Sequence, residues 1–84
     1  MNSKHRRTLD KVFTEPVPAE LRWADVEALL RALGAELKTG KGSRVRVALG
    51  GCRATFHRPH PRPVVGRGTL RAVRRLLEEA GMQP

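Results

Sequence analysis

Apolar residues along this chain form two helical stripes, separated by a block of alternating positions. The first stripe has the spacing i, i+3, i+6, i+7 and i+10 and consists of Trp23, Val26, Leu29, Leu30 and Leu33. The second stripe has the same spacing and consists of Leu70, Val73, Leu76, Leu77 and Ala80. Because this spacing covers one face of a helix, it predicts two amphipathic helices. Gly34 and Gly81 follow the stripes, as is typical of helix ends.

The residues between the two helices predict three strands. Ala35 to Lys38 alternates and predicts a short strand, followed by a Gly-rich loop. Arg44 to Leu49 alternates more cleanly, and Cys52 to His57 continues the alternation beyond Gly50-Gly51. A two-residue Gly-Gly connection between alternating runs is typical of a tight β-hairpin.

The hairpin turn fixes which side chains share a face of the sheet. With Gly50-Gly51 as the turn, Arg44 lies opposite His57 and Arg46 opposite Thr55. One face then carries the apolar side chains and suits the two helices. The other face carries Arg44, Arg46, Arg53, Thr55 and His57. This second face is predicted to be open, polar and basic.

The N-terminal residues predict a further short helix. Ser3 to Phe13 has a small apolar stripe, with Ser3 as the expected cap. Pro16 and Pro18 then interrupt any helix. We therefore expect residues 1–19 to be an appended helix with a Pro-containing linker, and residues 20–84 to be the main domain.

Composition limits the class of protein and its partners. A chain of 84 residues is expected to form one domain. Lys and Arg total 17 against 8 Asp and Glu, giving a net charge of +9, which indicates an anionic partner. No apolar run approaches the ~20 residues of a membrane span, and the N-terminus lacks the apolar region of a signal peptide. We expect a cytoplasmic protein without a membrane partner.

The stretch FHRPHPR, residues 56–62, holds two histidines between arginines and prolines. His57 and His60 are candidates for proton transfer or phosphate binding, and a polar strand end explains the pattern equally well. A metal site is less favoured, because no nearby carboxylate or thiol completes it. The single cysteine, Cys52, also rules out zinc sites built from several cysteines. We expect no metal and no cofactor.

Three motifs in order along the chain resemble the HicA toxins of HicAB toxin–antitoxin systems. They are Gly42-Ser43 in the loop, Pro59-His60-Pro61 after the hairpin, and Gly68-Thr69-Leu70 at the last helix, and the resemblance covers about residues 23–81. It implies an α+β, double-stranded-RNA-binding-like fold: α-β-β-β-α, with a three-stranded antiparallel sheet and two helices on one face. It also implies metal-independent cleavage of mRNA and a HicB antitoxin that masks the site.

The chain departs from the family at the catalytic histidine, which follows the Gly-Ser of the loop. That position is Arg44 here, whereas His60 matches the family's second histidine. We hypothesise that His57, across the hairpin from Arg44, is the general base, since histidine changes charge nearest neutral pH. Arg44 and Arg46 would stabilise the phosphate charge, and His60 would either protonate the leaving oxygen or orient the RNA.

Further residues are expected to bind the RNA backbone: Lys41, Ser43, Arg46, Arg53, Thr55, Arg58 and Arg62. The sequence therefore predicts an endoribonuclease toxin that acts on mRNA, is neutralised by a HicB-like antitoxin and is a monomer when free. The alternative is an RNA-binding module that has lost the nuclease site. DNA binding is disfavoured, because the chain has no helix-turn-helix pattern.

Overall fold

A computed structural model describes residues 2–18, 21–59 and 63–84. Its elements in chain order are α1 (Ser3–Val12), α2 (Trp23–Ala32), β1 (Glu36–Thr39), β2 (Arg44–Leu49), β3 (Cys52–His57) and α3 (Arg67–Glu79). The strands form one antiparallel sheet in the order β1-β2-β3. This confirms the α+β class and the double-stranded-RNA-binding-like α-β-β-β-α arrangement, preceded by one extra helix. No helix within the described residues is long and apolar enough to cross a membrane.

The two predicted helical stripes and the apolar face of the sheet form one hydrophobic core. From the helices it buries Trp23, Val26, Leu29, Leu30, Leu70, Val73, Leu76 and Leu77. From the sheet it buries Val45, Val47, Leu49 and Phe56. The rings of Trp23 and Phe56 meet edge to face with centroids 6.4 Å apart, a geometry that aromatic pairs prefer. The opposite face of the sheet is left uncovered by α2 and α3.

The hairpin has the predicted register. Leu49 pairs with Cys52 across the turn, and the ladder continues to Arg44 opposite His57. Gly50 and Gly51 have φ values of +55° and +82°. A two-residue turn with positive φ at both positions matches the twist of the strands and favours glycine. The Gly-Gly pair therefore determines which side chains reach the open face.

Replacing Gly50 with alanine is expected to lower the free energy of unfolding by about 1–2 kcal/mol, because a Cβ strains a left-handed backbone. The matched control is Gly68→Ala within α3, where φ is not positive and an added Cβ meets no atom within 4 Å. That change should stabilise the protein by about 0.5–1 kcal/mol. Urea denaturation measures both, and shifts of the same sign would contradict this account of the turn.

Helix α1 packs into the core of the domain. Leu9, Val12 and Val17 are all at most 5% exposed and belong to the same hydrophobic cluster as α2 and α3. The segment predicted as an appendage thus contributes to the single core. The boundary expected between residues 19 and 20 lies outside the described residues and stays a prediction.

Two sequence predictions about element ends were wrong. The side chain of Asn2, and not that of Ser3, caps α1 by accepting a hydrogen bond from the backbone N–H of His5 at 2.8 Å. Strand β1 runs from Glu36 to Thr39, one residue later than its alternation suggested. Ala35 is held outside the strand, because its N–H donates to the carbonyl of Leu30 at 2.9 Å and completes the end of α2.

Arg74 of α3 holds the end of α1 in place. Its Nε donates to the carbonyl oxygen of Val12 at 3.0 Å, and its Nη2 donates to that of Thr14 at 2.9 Å. Its Nη1 forms an ion pair with the Glu15 carboxylate, and the guanidinium lies 5.9 Å from the centroid of the Phe13 ring. The hydrogen bond and charge of Arg74 hold the pKa of Glu15 below its usual value. One side chain thus satisfies carbonyls that the end of a helix leaves free.

Candidate nucleic-acid interface

The open face of the sheet carries side chains from all three strands. They are Glu36 and Lys38 from β1, Arg44, Arg46 and Ala48 from β2, and Arg53, Thr55 and His57 from β3. Because side chains alternate along a strand, the burial of Val45, Val47 and Phe56 on the core side leaves these residues facing outward. We call this surface the open face. The structure brings five of the predicted site residues together on it.

Arg44 and His57 form one pair at the end of the hairpin. They are directly opposed in the ladder, which places their Cβ atoms roughly 5 Å apart. Just beyond them, the N–H of Arg58 donates to the carbonyl oxygen of Ser43 at 2.6 Å. This bond keeps the two strands together past the pair. Both side chains are exposed, so an imidazole and a guanidinium are accessible at the same place.

A shallow groove of about 520 Å³ lies on the open face next to this pair. Its lining includes the carboxylate residue Glu36 beside the cations Lys38, Arg46 and Arg53, but neither Arg44 nor His57. The Arg46–Thr55 pair is two residues along the ladder from the Arg44–His57 pair, a distance of about 7 Å. The Arg44–His57 pair therefore lies beside the groove and not in it.

The loop between β1 and β2 brings two more predicted residues close to Arg44. The N–H of Gly40 donates to the Arg44 carbonyl at 2.8 Å, and the N–H of Arg44 contacts the Lys41 carbonyl at 3.4 Å. Lys41 is exposed, and Ser43 is half-buried. Lys41 thus lies three residues before Arg44, on a loop whose backbone is hydrogen-bonded to that of Arg44.

The structure places one further predicted residue, Arg58, away from the open face. Arg58 lines a separate shallow groove beside α2, together with Trp23, Glu27 and Arg31. It follows His57 directly, so the alternation of the strand turns its side chain toward the helices. His60 and Arg62 lie outside the described residues.

Lys38 was not among the site residues predicted from the sequence. Its Cα pairs with that of Arg46. A signal was available, because Leu37 must face the core and its neighbours must then face outward. The pairing of β1 with β2 could not be counted from the sequence, since the Gly-rich connection does not define a turn type. Lys38 adds a fourth strand cation to Arg44, Arg46 and Arg53.

Within the described residues, no ion pair involves the cations of the open face. The ion pairs of this part of the chain join Lys4 to Asp25, Arg31 to Glu27, and Arg74 to Glu15. The same part of the chain contains no cluster of three His, Cys, Asp or Glu side chains that could hold a metal ion. The chemistry that this face offers is anion binding and proton transfer.

Comparison with known families identifies the protein. The family model described as the HicA toxin of bacterial toxin–antitoxin systems matches residues 23–82, from the start of α2 to just beyond α3. The chain belongs to the HicA toxin family. It is therefore the toxin of a toxin–antitoxin system and has an antitoxin as its partner.

This HicA protein has one element outside the matched region, the helix α1. The match begins at Trp23, so the core residues contributed by α1 and the groups that Arg74 binds all precede it. No curated protein and no solved structure matches the chain.

Proposed function

We propose that this HicA toxin is an endoribonuclease that cuts mRNA in the cytoplasm, and that a HicB-like antitoxin neutralises it. The observation that carries the proposal is the pairing of Arg44 with His57 across the β2–β3 ladder. Arg44 occupies the position of the family's usual catalytic histidine. His57 offers an imidazole from the neighbouring strand at nearly the same place.

In the proposed reaction, His57 removes the proton from a ribose 2′-hydroxyl. The 2′-oxygen attacks the adjacent phosphorus, and the bond from phosphorus to the 5′-oxygen of the next nucleotide breaks. The products are a 2′,3′-cyclic phosphate and a 5′-hydroxyl. A neutral imidazole suits the first proton transfer near neutral pH. The step needs a second proton donor for the leaving oxygen, and His60 is our candidate for that role.

Arg44 and Arg46 are proposed to stabilise the reacting phosphate. A guanidinium donates two parallel hydrogen bonds to phosphate oxygens and keeps its charge throughout the reaction. Donors already in place where charge develops lower the barrier without reorganisation. Lys41, Ser43, Arg53, Thr55, Arg58 and Arg62 are proposed to bind the flanking RNA backbone. Side chains alone supply this chemistry, in keeping with a metal-independent reaction.

A HicB-like antitoxin is proposed to cover the open face. The exposed arginines of this face have no acidic partner within the described residues, which favours a partner that brings acidic groups. Such a cover would block RNA binding and proton transfer together. Titrating the toxin with its antitoxin should therefore remove RNA binding and cleavage at the same molar ratio.

The second candidate is an RNA-binding module without catalysis. The presence of Arg44 at the family's catalytic position favours it, because an arginine cannot act as a base near neutral pH. In that case the open face holds RNA through its backbone, largely independently of sequence. Both candidates share the RNA interface and differ only in whether His57 moves a proton.

The RNA interface itself is tested by Arg46→Ala and Arg53→Ala. Each change should weaken binding of single-stranded RNA several-fold and reduce the slope of log K against log salt by about 0.7, as expected for one lost phosphate contact. Fluorescence anisotropy over a salt series measures both quantities. The matched control is Arg7→Ala, an exposed arginine of α1 on another element of the fold. Equal losses in all three variants would refute the open face as the interface.

A further inference from the structure

The charged residues at both ends of α3 interact unfavourably with the helix dipole. Its first turn holds Arg67 and no acidic residue, and its last turn holds Glu78 and Glu79 and no basic residue. The helix dipole favours the reverse arrangement at both ends. Arg75 also precedes Glu79 by four residues, which is the weaker orientation for such a pair. The positions of Arg67 and Arg75 therefore have no explanation in the stability of α3, whereas the charge of Arg71 adds to the larger effect of Arg74 in lowering the pKa of Glu15.

Three exposed arginines form a row along α3 that is inclined to the helix axis. Arg67, Arg71 and Arg75 are spaced four residues apart, which gives a rise of about 6 Å from one to the next. We call them the α3 stripe. None of them forms an ion pair within the described residues. The fourth arginine of the helix, Arg74, differs, because its side chain is 17% exposed and binds the end of α1.

The α3 stripe lies on the opposite side of the molecule from the open face. Leu70, Val73, Leu76 and Leu77 turn one side of α3 into the core that the sheet shares. Arg71 and Arg75 therefore point away from the sheet, whose open face is directed to the other side. The whole molecule measures 32 × 28 × 20 Å. An RNA strand that contacts both surfaces must pass around one edge of the domain.

We propose that the α3 stripe is a second surface for the RNA backbone. An evenly spaced row of guanidinium groups matches a polyanion whose charges repeat along the chain, and each fork binds a phosphate through two hydrogen bonds. An acidic protein fits less well, because the buried core of a protein interface is rich in apolar and aromatic side chains as well as arginine. The exposed residues of α3 are Arg67, Gly68, Arg71, Arg75, Glu78 and Glu79. They include no apolar or aromatic side chain.

The proposal rests on the RNA-binding part of the proposed function and is independent of cleavage. It predicts that the toxin contacts more RNA than the open face alone can hold. A trinucleotide is too short to span both surfaces, and we expect it to bind mainly at the open face, which carries four strand cations against three in the stripe. An unstructured RNA of about 20 nucleotides, longer than a typical single-strand site, reaches both surfaces.

The test compares two variants of equal charge loss. The stripe variant replaces Arg67, Arg71 and Arg75 with glutamine. The control replaces Arg6, Arg7 and Lys11, three exposed cations of α1, with glutamine. Affinities for the trinucleotide and for the longer RNA are measured by anisotropy over a salt series, together with the Tm of each variant.

The stripe variant should bind the longer RNA about tenfold more weakly, with a salt slope lower by about 2, as three lost phosphate contacts require. Its affinity for the trinucleotide should match that of the wild type. Its Tm should equal or exceed that of the wild type, because the substitution removes the positive charge of Arg67 from the first turn of α3, where the helix dipole disfavours it. The control should lose much less affinity for the longer RNA.

Three results would overturn the inference. The stripe variant and the control would lose affinity equally if only net charge mattered. The stripe variant would bind RNA normally but its antitoxin weakly if the stripe were a protein interface. If Arg46→Ala and Arg53→Ala weaken RNA binding while the stripe variant does not, the proposed function survives and the stripe proposal fails. A wild-type protein that binds RNA through both surfaces without cutting it would leave the stripe proposal standing and refute the nuclease.

Discussion

Replacing His57 with alanine is expected to abolish RNA cleavage while changing RNA affinity little. A positioned general base typically contributes 10²–10⁴-fold to the rate, and removal of this imidazole leaves all four strand cations of the open face in place. On induced expression in a bacterial host, the wild type should arrest growth and degrade mRNA. The His57→Ala protein should do neither.

The control for this experiment is His5→Ala, which removes a half-buried imidazole from α1 and should leave toxicity intact. Equal protein abundance and circular dichroism spectra would exclude misfolding as the cause. If wild type and His57→Ala are both harmless and mRNA stays intact, the non-catalytic module is the better account. If both are equally toxic, the base lies elsewhere.

A swap across the ladder sharpens the same prediction. Because Arg44 and His57 are directly opposed, the double variant Arg44→His/His57→Arg exchanges their side chains without changing the charge. It also places a histidine directly after Gly42-Ser43, where we expect the family's usual catalytic histidine. We expect the swapped protein to recover part of the cleavage that His57→Ala loses. A swapped protein as inactive as His57→Ala would mean that only the β3 position can serve the reaction.

Replacing Arg74 with alanine is expected to have the largest effect on stability. The change removes two hydrogen bonds from a charged donor to the carbonyls of Val12 and Thr14, and it leaves those oxygens near the end of α1 without that partner. We expect a loss of about 2–3 kcal/mol in the free energy of unfolding, which corresponds to a fall in Tm of roughly 10–20 °C for a domain of this size. Thermal and urea denaturation measure these losses.

Arg74→Lys is the matched variant for this prediction. Lysine keeps the charge but has one nitrogen in place of the guanidinium fork that spans Val12 and Thr14. The free energy of unfolding of Arg74→Lys should therefore lie between those of the wild type and Arg74→Ala. A loss no larger than that of Arg75→Ala, an exposed arginine one position along the same helix, would show that Arg74 does not hold α1.

The pH dependence of stability gives an independent measure of the Arg74 contact. Arg74 lowers the pKa of Glu15 from its ordinary value of 4.5. A carboxylate with a lowered pKa in the folded state stabilises the fold above its ordinary pKa, and this contribution is lost as the pH falls through the lowered value. The difference in stability between wild type and Arg74→Ala should therefore be constant near neutral pH and shrink under acidic conditions.

The β2–β3 hairpin could be derived from the sequence because its determinants are local. Two glycines between alternating runs define the turn, and the turn defines every pair up to Arg44 opposite His57. The helical stripes of α2 and α3 were equally clear, since their spacing repeats within a few residues. Where turn and periodicity coincide, a short sequence determines the structure.

The docking of α1 could not be predicted from the sequence. It depends on Arg74, which lies 59 to 62 residues along the chain from the groups it binds. Nothing in the spacing distinguishes Arg74 from the exposed arginines around it. The small apolar stripe of Leu9 and Val12 predicted a helix, but a side chain that bonds to distant carbonyls leaves no periodic signal.

The part of the candidate site on the β2–β3 hairpin was predictable from the sequence. The alternation of the hairpin gave Arg46, Arg53 and Thr55 as neighbours on one face. The same alternation, continued one residue beyond His57, predicts that Arg58 lies on the opposite side. The outward position of Lys38 followed from Leu37, but its pairing with Arg46 did not, because the Gly-rich connection does not define a turn type.

The Arg74 contact also bears on when the toxin acquires its fold during translation. The carbonyls of Val12 and Thr14 leave the ribosome long before Arg74 does, because about 60 residues separate them. Until Arg74 has emerged, α1 lacks the side chain that fastens it and remains a short helix of marginal stability. A nascent chain therefore cannot complete this core until the part of α3 that carries Arg74 has emerged. A partner that binds the nascent chain would meet α1 before it has docked.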